Sequence, residues 1–146
     1  MAQPHDEVRR YLESYRAARF EVVRLRRKLT EIRARCESIT RELNGMPGGG
    51  GGDKHQDGTL VAYADLAKSY EVRFCEAEKL AKEIEEFVNN IPDPTLRMIL
   101  WLRYVDLLPW SRVQEELATA GVWYSERQIT RLHGLALQSA RGIWNG

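Results

Sequence analysis

The chain has 146 residues and a formal net charge of +1; 43% of its residues are hydrophobic and 29% are charged. This balance is typical of one folded domain of ordinary size, or of a small domain with an arm, and argues against intrinsic disorder. No apolar run approaches the roughly 20 residues of a membrane span, and the N-terminal stretch lacks the apolar segment of a signal peptide. We therefore expect no membrane partner and a cytoplasmic location.

The small net charge conceals an uneven distribution. Residues 8–44 carry 11 Lys/Arg against 5 Glu, a balance of +6, whereas residues 60–91 carry 4 against 7, a balance of −3. Residues 92–146 carry 6 against 5 and are close to neutral. If the C-terminal part binds a nucleic acid, its positive charge must lie on one face, and its non-specific affinity should be modest.

The first predicted element is a long helix with a heptad seam. Its apolar residues recur at spacings of three and four, which predicts one helix of about 36 residues, roughly 54 Å long. The seam residues are Val8, Tyr11, Tyr15, Ala18, Val22, Leu25, Leu29, Ile32, Cys36, Ile39 and Leu43. The arginines on its flanks would contact DNA or RNA, or would face the charges of a partner helix, which is the interpretation we prefer.

The same spacing returns from Leu60 to Ile91, now with acidic flanks. A basic and an acidic heptad helix joined by a loop predict an antiparallel coiled-coil hairpin over residues 1–91. An extra apolar column, formed by Leu66, Leu80 and Phe87, lies outside the seam. We expect the C-terminal helices, or the same helix of a second subunit in a homodimer, to cover it.

Residues 44–58 are predicted to be a flexible Gly-rich loop, because residues 48–52 are consecutive glycines. A nucleotide-binding P-loop needs a Gly-Lys-Ser/Thr sequence between a strand and a helix, and here His55 follows Lys54. The nearby Asp53, His55 and Asp57 form only a weak metal-ligand set. Cys36 and Cys75 have no metal spacing and are expected to be free thiols. We predict no metal and no cofactor.

Residues 92–146 are predicted to form three short helices. The first begins at Asp93 and Pro94, a helix cap followed by proline at the first helical position, and ends near Val105. The second covers residues 110–120 and ends at Gly121. The third corresponds to the run 124–137, in which Ser125 is a favourable N-cap residue.

The third helix has one apolar and one polar side. At about 100° per residue, its apolar positions collect on one side, while Arg127, Arg131, Gly134 and Gln138 lie on the other. A helix of this kind can read the major groove of DNA, or it can be a surface helix with two arginines. Trp123, in the turn before the helix, is the aromatic residue most expected to be exposed. His133 is expected to be a hydrogen-bonded residue at the edge of the apolar side.

These residues, in this order, resemble phage late-gene transcriptional regulators of the RinA/ArpU kind. The resemblance rests on the segments 102–104, 124–128 and 131–137 together with Trp110, Leu117 and the Gly-rich segment 40–53. It implies a C-terminal helix-turn-helix similar to region 4 of bacterial sigma factors, activation of late viral genes in a bacterial host, and a contact with RNA polymerase. One departure is the connection at residues 118–124, which is longer than a typical helix-turn-helix turn.

We therefore predict an all-α protein that binds specific double-stranded DNA sequences and regulates transcription. Arg127 and Arg131 would reach guanine edges, while Gln128 and Gln138 would meet adenine or phosphate. Phosphate contacts would come from Tyr124, Ser125 and Thr130, with Gly134 allowing close approach. No nucleophile has a nearby base, so no enzyme is predicted and no catalytic residue is assigned.

Two other functions fit the sequence. A coiled-coil adaptor or structural protein would bind another helix through the hairpin and would not bind DNA. A DNA-packaging subunit of the small-terminase type would also combine a helix-turn-helix with coiled-coil helices, and would assemble as a ring.

Overall fold

The computed structural model describes residues 5–44 and 54–146, with the side chains of residues 54–57 excepted. Its helices are α1 (Asp6–Asn44), α2 (Lys54–Asn89), α3 (Pro94–Leu100), α4 (Trp110–Thr119) and α5 (Glu126–Ile143), and a π-helical turn, Trp101–Val105, continues α3. All regular structure in these described ranges is helical, which confirms the all-α prediction. None of the described helices is long and apolar enough to cross a membrane.

The limits of the predicted loop were wrong at both ends. Asn44 is the last residue of α1, and α2 already begins at Lys54. The heptad pattern identifies where apolar residues are buried, but a polar first turn, such as that of α2, has no apolar residue to mark it. The glycines at positions 48–52 and Asp53 lie outside the described residues, as does the predicted flexibility of that segment.

The chain divides into two compact units. One unit combines Met1–Arg19 with Lys79–Gly146, and the other consists of Phe20–Glu78. The first unit therefore contains the described start of α1, the end of α2 and all the shorter helices. The predicted division at residue 91 separates two consecutive parts of the sequence. The observed division instead groups residues that pack together.

The unit that contains the shorter helices has two hydrophobic clusters. The first joins α1, α2, α3, the π-helical turn and α5; its buried residues are Val8, Leu12, Tyr15, Ala18, Ala81, Ile84, Val88, Ile91, Leu100, Tyr104, Ala136, Leu137 and Ala140. The second joins the C-terminal elements to one another through Ile99, Leu102, Val113, Leu117 and Ile129. Because α5 contributes to both clusters, its position is fixed at two places along its length.

The predicted α1 seam omits one buried residue, Leu12. Leu12 is fully buried, whereas Tyr11 is only partly buried and packs edge-on against Phe87, with 5.4 Å between the ring centroids. Both assignments keep steps of three or four residues, so spacing alone does not separate them. The shorter Leu12 side chain fits directly between the helices, while the Tyr11 ring covers the rim.

The extra apolar column of α2 is covered in part. Leu80 and Phe87 are half-buried against the first cluster, which contains residues of α5, as expected. Leu66 lies in the other unit and is 41% exposed. The described residues therefore leave this third position of the column open to solvent.

In the unit Phe20–Glu78, α1 and α2 run antiparallel, as their charge pattern predicts. Arg33 lies 3.2 Å from Glu71, and Arg35 donates a hydrogen bond of 3.1 Å to the hydroxyl of Tyr63. These groups are largely exposed, and exposed ion pairs contribute only about 0–1 kcal/mol each. The buried seam Val22, Leu25, Leu29 and Ile32 therefore stabilises the pairing more than the charges do.

Caps and turns fix the ends of the short helices. Asp93 accepts hydrogen bonds from the backbone N–H groups of Thr95 and Leu96, as its predicted capping role requires. Gly121, after α4, has a φ of 113°, a conformation that L side chains rarely adopt. Its N–H donates to the carbonyl of Ala118, so this glycine ends α4 and directs the chain toward α5.

Replacing Gly121 by Ala should lower the free energy of unfolding by about 1–2 kcal/mol, because the new Cβ would strain the positive-φ backbone. The matched control is Gly134→Ala within α5, where a Cβ would meet no atom within 4 Å. That variant should raise the free energy of unfolding by about 0.5–1 kcal/mol, since Ala favours the helix. Urea unfolding followed by circular dichroism measures both; equal effects would contradict the argument.

Candidate nucleic-acid interface

A reciprocal pair of hydrogen bonds fixes the start of α5. The hydroxyl of Ser125 accepts from the backbone N–H of Gln128 at 3.2 Å, and the side-chain oxygen of Gln128 accepts from the backbone N–H of Ser125 at 2.9 Å. This is a capping box, which satisfies two backbone donors that a helix start would otherwise leave unpaired. The first turn of α5 is therefore held in a defined position.

One side of α5 packs into both hydrophobic clusters. Ile129 is buried in the second cluster, while Ala136, Leu137 and Ala140 are buried in the first. The predicted apolar side is thus confirmed except at its end, because Ile143 is 38% exposed. Ile143 is the last residue of the helix, where too little structure remains around it to cover the side chain.

The opposite side of α5 is exposed and basic. Arg127, Arg131, Gly134 and Gln138 are all exposed. The structure gives neither arginine a hydrogen-bond or ion-pair partner within residues 5–44 and 54–146. Four residues separate the two guanidinium groups, a rise of about 6 Å along the axis, so they project from successive turns of the same side.

Arg141 is a further basic residue on this side that the sequence analysis did not assign. It is exposed in the last turn of α5. Its helical position lies about 40° from that of Arg127, so the same projection that identified Arg127 and Arg131 would have found it. We refer to Arg127, Arg131, Gly134, Gln138 and Arg141 as the basic face of α5.

The remaining predicted contact residues lie beside this face, with their side chains or backbones partly engaged. Thr130 is exposed, and its hydroxyl donates to the carbonyl of Glu126 at 2.9 Å. Tyr124 is half-buried against the second cluster, and its carbonyl accepts from the side-chain amide of Gln114 at 2.8 Å. Trp123 is 67% exposed, which confirms the expectation for this aromatic residue.

A groove of about 900 Å³ lies next to the first two turns of α5. Residues from α1, the π-helical turn and its following loop, α4 and α5 line it: Arg9, Glu13, Arg16, Arg103, Tyr104, Leu107, Trp110, Ser111, Gln114, Glu126, Ile129, Thr130 and His133. We call this the α1–α5 groove. No sequence pattern indicated it, because its walls come from segments more than 85 residues apart.

A hydrogen bond joins two elements at the floor of the α1–α5 groove. The hydroxyl of Tyr104 and Nε2 of His133 lie 2.7 Å apart, and the ring of Trp110 packs edge-on against His133. This confirms the expected hydrogen-bonded histidine. Burial, reinforced by the positive charges of Arg9 and Arg103, lowers the pKa of His133 to about 4. His133 is therefore neutral at pH 7, and burial also raises the pKa of Tyr104.

Arg103 supports the wall of the groove. One of its guanidinium nitrogens donates to the carbonyl of Leu108 at 3.0 Å, and the guanidinium carbon lies 4.8 Å from the centre of the Trp110 ring. Its guanidinium group thus makes a cation–π contact and donates a backbone hydrogen bond. Leu107, the residue before Leu108, has a φ of 57°, which is an uncommon conformation for a leucine.

Comparison with models of known protein families, with curated proteins and with solved structures gives no match to this chain. Among the described residues, no group of three or more His, Cys, Asp or Glu side chains could hold a metal ion. Cys36 and Cys75 are free thiols. The basic face and the groove beside it are therefore the features of the described residues that bear on function.

The stability of the protein should depend on His133 at mildly acidic pH. Since its pKa falls from 6.5 to about 4 on folding, the unfolded state binds more protons between these values. Stability should thus decrease as pH falls from about 6.5 toward 4, by on the order of 2 kcal/mol after allowance for partial exposure. Urea unfolding of wild type and His133→Gln at pH 7 and pH 4.5 measures this: the variant should lose less stability, and equal losses would contradict it.

Proposed function

We propose that this protein binds specific sequences of double-stranded DNA through α5 and thereby regulates transcription. The proposal rests on the two-sided character of α5. One side is anchored in two clusters, and the other presents to solvent arginines that have no partner among the described residues. An α-helix fits the major groove of B-DNA, where arginine can donate two hydrogen bonds to guanine.

The basic face assigns separate roles along the helix. Arg127 and Arg131 read guanine edges, and Gln138 meets adenine or a phosphate. Gly134 lies between them and has open space around its Cα, so a DNA backbone can approach closely there. Arg141, at the end of the helix, adds a charge that contacts phosphate.

The residues at the start of α5 position it rather than read bases. Ser125 and the side-chain oxygen of Gln128 hold each other in the capping box, which leaves the amide nitrogen of Gln128 to donate to phosphate. Tyr124 and Thr130 complete the phosphate contacts, Thr130 by turning its hydroxyl from the carbonyl of Glu126 to the phosphate. Affinity then depends on a small number of directed contacts, because the segment 92–146 is almost neutral.

The biological setting is proposed from the resemblance to phage late-gene regulators. In that setting the protein acts as an activator in a bacterial cytoplasm, contacts RNA polymerase, and forms a homodimer on DNA. Twofold symmetry of the bound sequence would accompany such a dimer.

One observation favours a second function, that of a coiled-coil adaptor. The unit Phe20–Glu78 exposes several large apolar side chains, with Phe20 at 67%, Val23 at 60% and Val72 at 59%. A partner helix could cover them. An adaptor of this kind predicts no salt-dependent binding of DNA, so the titrations below separate the two functions.

Replacing Arg131 by Ala should weaken binding to the preferred sequence by about 5- to 150-fold, equivalent to roughly 1–3 kcal/mol, and relax the preference at one base pair. Selection from a random duplex pool supplies the sequence, and fluorescence titration measures the affinity. The control, Arg10→Ala, removes the same charge from an exposed position outside the basic face. Equal effects of the two variants on base preference would refute the proposed reading helix.

Gly134→Ala separates folding from DNA binding. It should stabilise the protein, as stated above, yet weaken DNA binding several-fold, because the new methyl group would hold the DNA backbone away from α5. Gly58→Ala adds the same methyl group at an open position of α2, outside the basic face, and provides the control. Unchanged affinity of Gly134→Ala would mean that no close approach occurs at this glycine.

A further inference from the structure

The α1–α5 groove brings α1 next to the edge of the basic face. Arg9, Glu13 and Arg16 of α1 line the groove together with Glu126 and Thr130 of α5. On a helical projection Thr130 lies about 60° from Arg127, between the groove and the arginines that face solvent. The groove therefore opens along the flank of the helix that we propose to read DNA.

Of the three arginines that line the groove, two have partners and one can bind an anion. Arg9 is paired with Glu13 at 3.1 Å, and Arg103 is engaged by the Leu108 carbonyl and the Trp110 ring. Arg16 is exposed, and among the described residues it has no hydrogen-bond or ion-pair partner. Because His133 is neutral, the remaining charged group in the groove is Glu126, which is exposed at the start of α5.

The apolar part of the groove includes a residue with a strained backbone conformation. Leu107 is 45% exposed although its φ of 57° is costly for a leucine. Strain of this kind persists where the surrounding structure enforces it, and it is concentrated at functional sites. Leu107 and the partly buried ring of Trp110 are apolar residues that line the same groove as Arg16.

We propose that the α1–α5 groove holds the sugar-phosphate backbone of one DNA strand, with Arg16 contacting a phosphate and Leu107 packing against deoxyribose. This inference rests on the proposed function. The major groove is about 12 Å wide, so a helix inserted in it has a backbone strand along each flank. On the flank marked by Thr130, that strand meets α1. The first long helix is then part of the DNA-binding surface and supplies charge that the near-neutral C-terminal segment lacks.

The test is the salt dependence of DNA binding by Arg16→Ala, with Arg10→Ala as the matched control. Arg10 is exposed on the same helix, carries the same charge and does not line the groove. Loss of one phosphate contact should flatten the slope of log affinity against log salt by about 0.9. Affinity should fall by roughly tenfold at 50 mM salt and by roughly threefold at 200 mM, without a change in base preference.

A second variant tests the apolar contact without endangering the fold. Leu107→Asn should leave stability unchanged or raise it, because Asn tolerates positive φ better than Leu, yet it should weaken DNA binding. Identical salt slopes for Arg16→Ala and Arg10→Ala would overturn the inference, as would an altered base preference in Arg16→Ala. If these slopes coincide while Arg131→Ala still relaxes base preference, only the role of α1 fails. If the wild-type protein shows no salt-dependent binding to duplex DNA, the proposed function fails as well.

Discussion

Burial of one side of α5 is the constraint on which the rest of the C-terminal structure depends. Ile129 enters one cluster and Ala136, Leu137 and Ala140 enter the other, so the helix can neither rotate nor slide without exposing apolar surface. The side chains on the opposite side are consequently held in a fixed direction. A binding surface prepared in this way loses little conformational freedom when a ligand arrives.

The polar contacts around α5 determine where the helix begins and how it is placed, and they contribute less to the stability of the protein. The capping box defines where the helix begins, and the bond between Tyr104 and His133 connects its middle to the π-helical turn. Each such bond contributes only about 1 kcal/mol, whereas each buried side chain contributes more. Their value lies in specificity, since they select one arrangement of the short helices among the several that apolar packing would allow.

Much of this arrangement follows from local sequence. Repeated apolar spacing predicts α1 and α2, and Asp93, Ser125 and Gly121 mark the ends of the short helices through chemistry that acts within a few residues. The exposed basic side of α5 follows from projection alone, and Arg141 would have followed from a complete projection. Local sequence does not decide whether Tyr11 or Leu12 is buried, because this depends on the shape of the facing helix.

Features that need distant segments could not be predicted. The α1–α5 groove is formed by residues from both ends of the chain, and the pKa of His133 is lowered by burial and by arginines from two other elements. The sequence does not predict the conformation of Leu107 either, since nothing in a leucine side chain favours a positive φ. In each case the cause is tertiary packing, which leaves no periodic trace in the sequence.

The π-helical turn has a structural consequence of its own. The N–H of Asp106 donates to the carbonyl of Trp101, five residues earlier, so the turn contains one residue more than a regular helix would. Deleting one residue there would restore a regular turn and remove the local distortion, while the segment after it would keep roughly the same orientation, because the turn already accommodates the extra residue. The extra residue therefore lies in the same turn as Arg103 and Tyr104, which both face the cleft between α1 and α5.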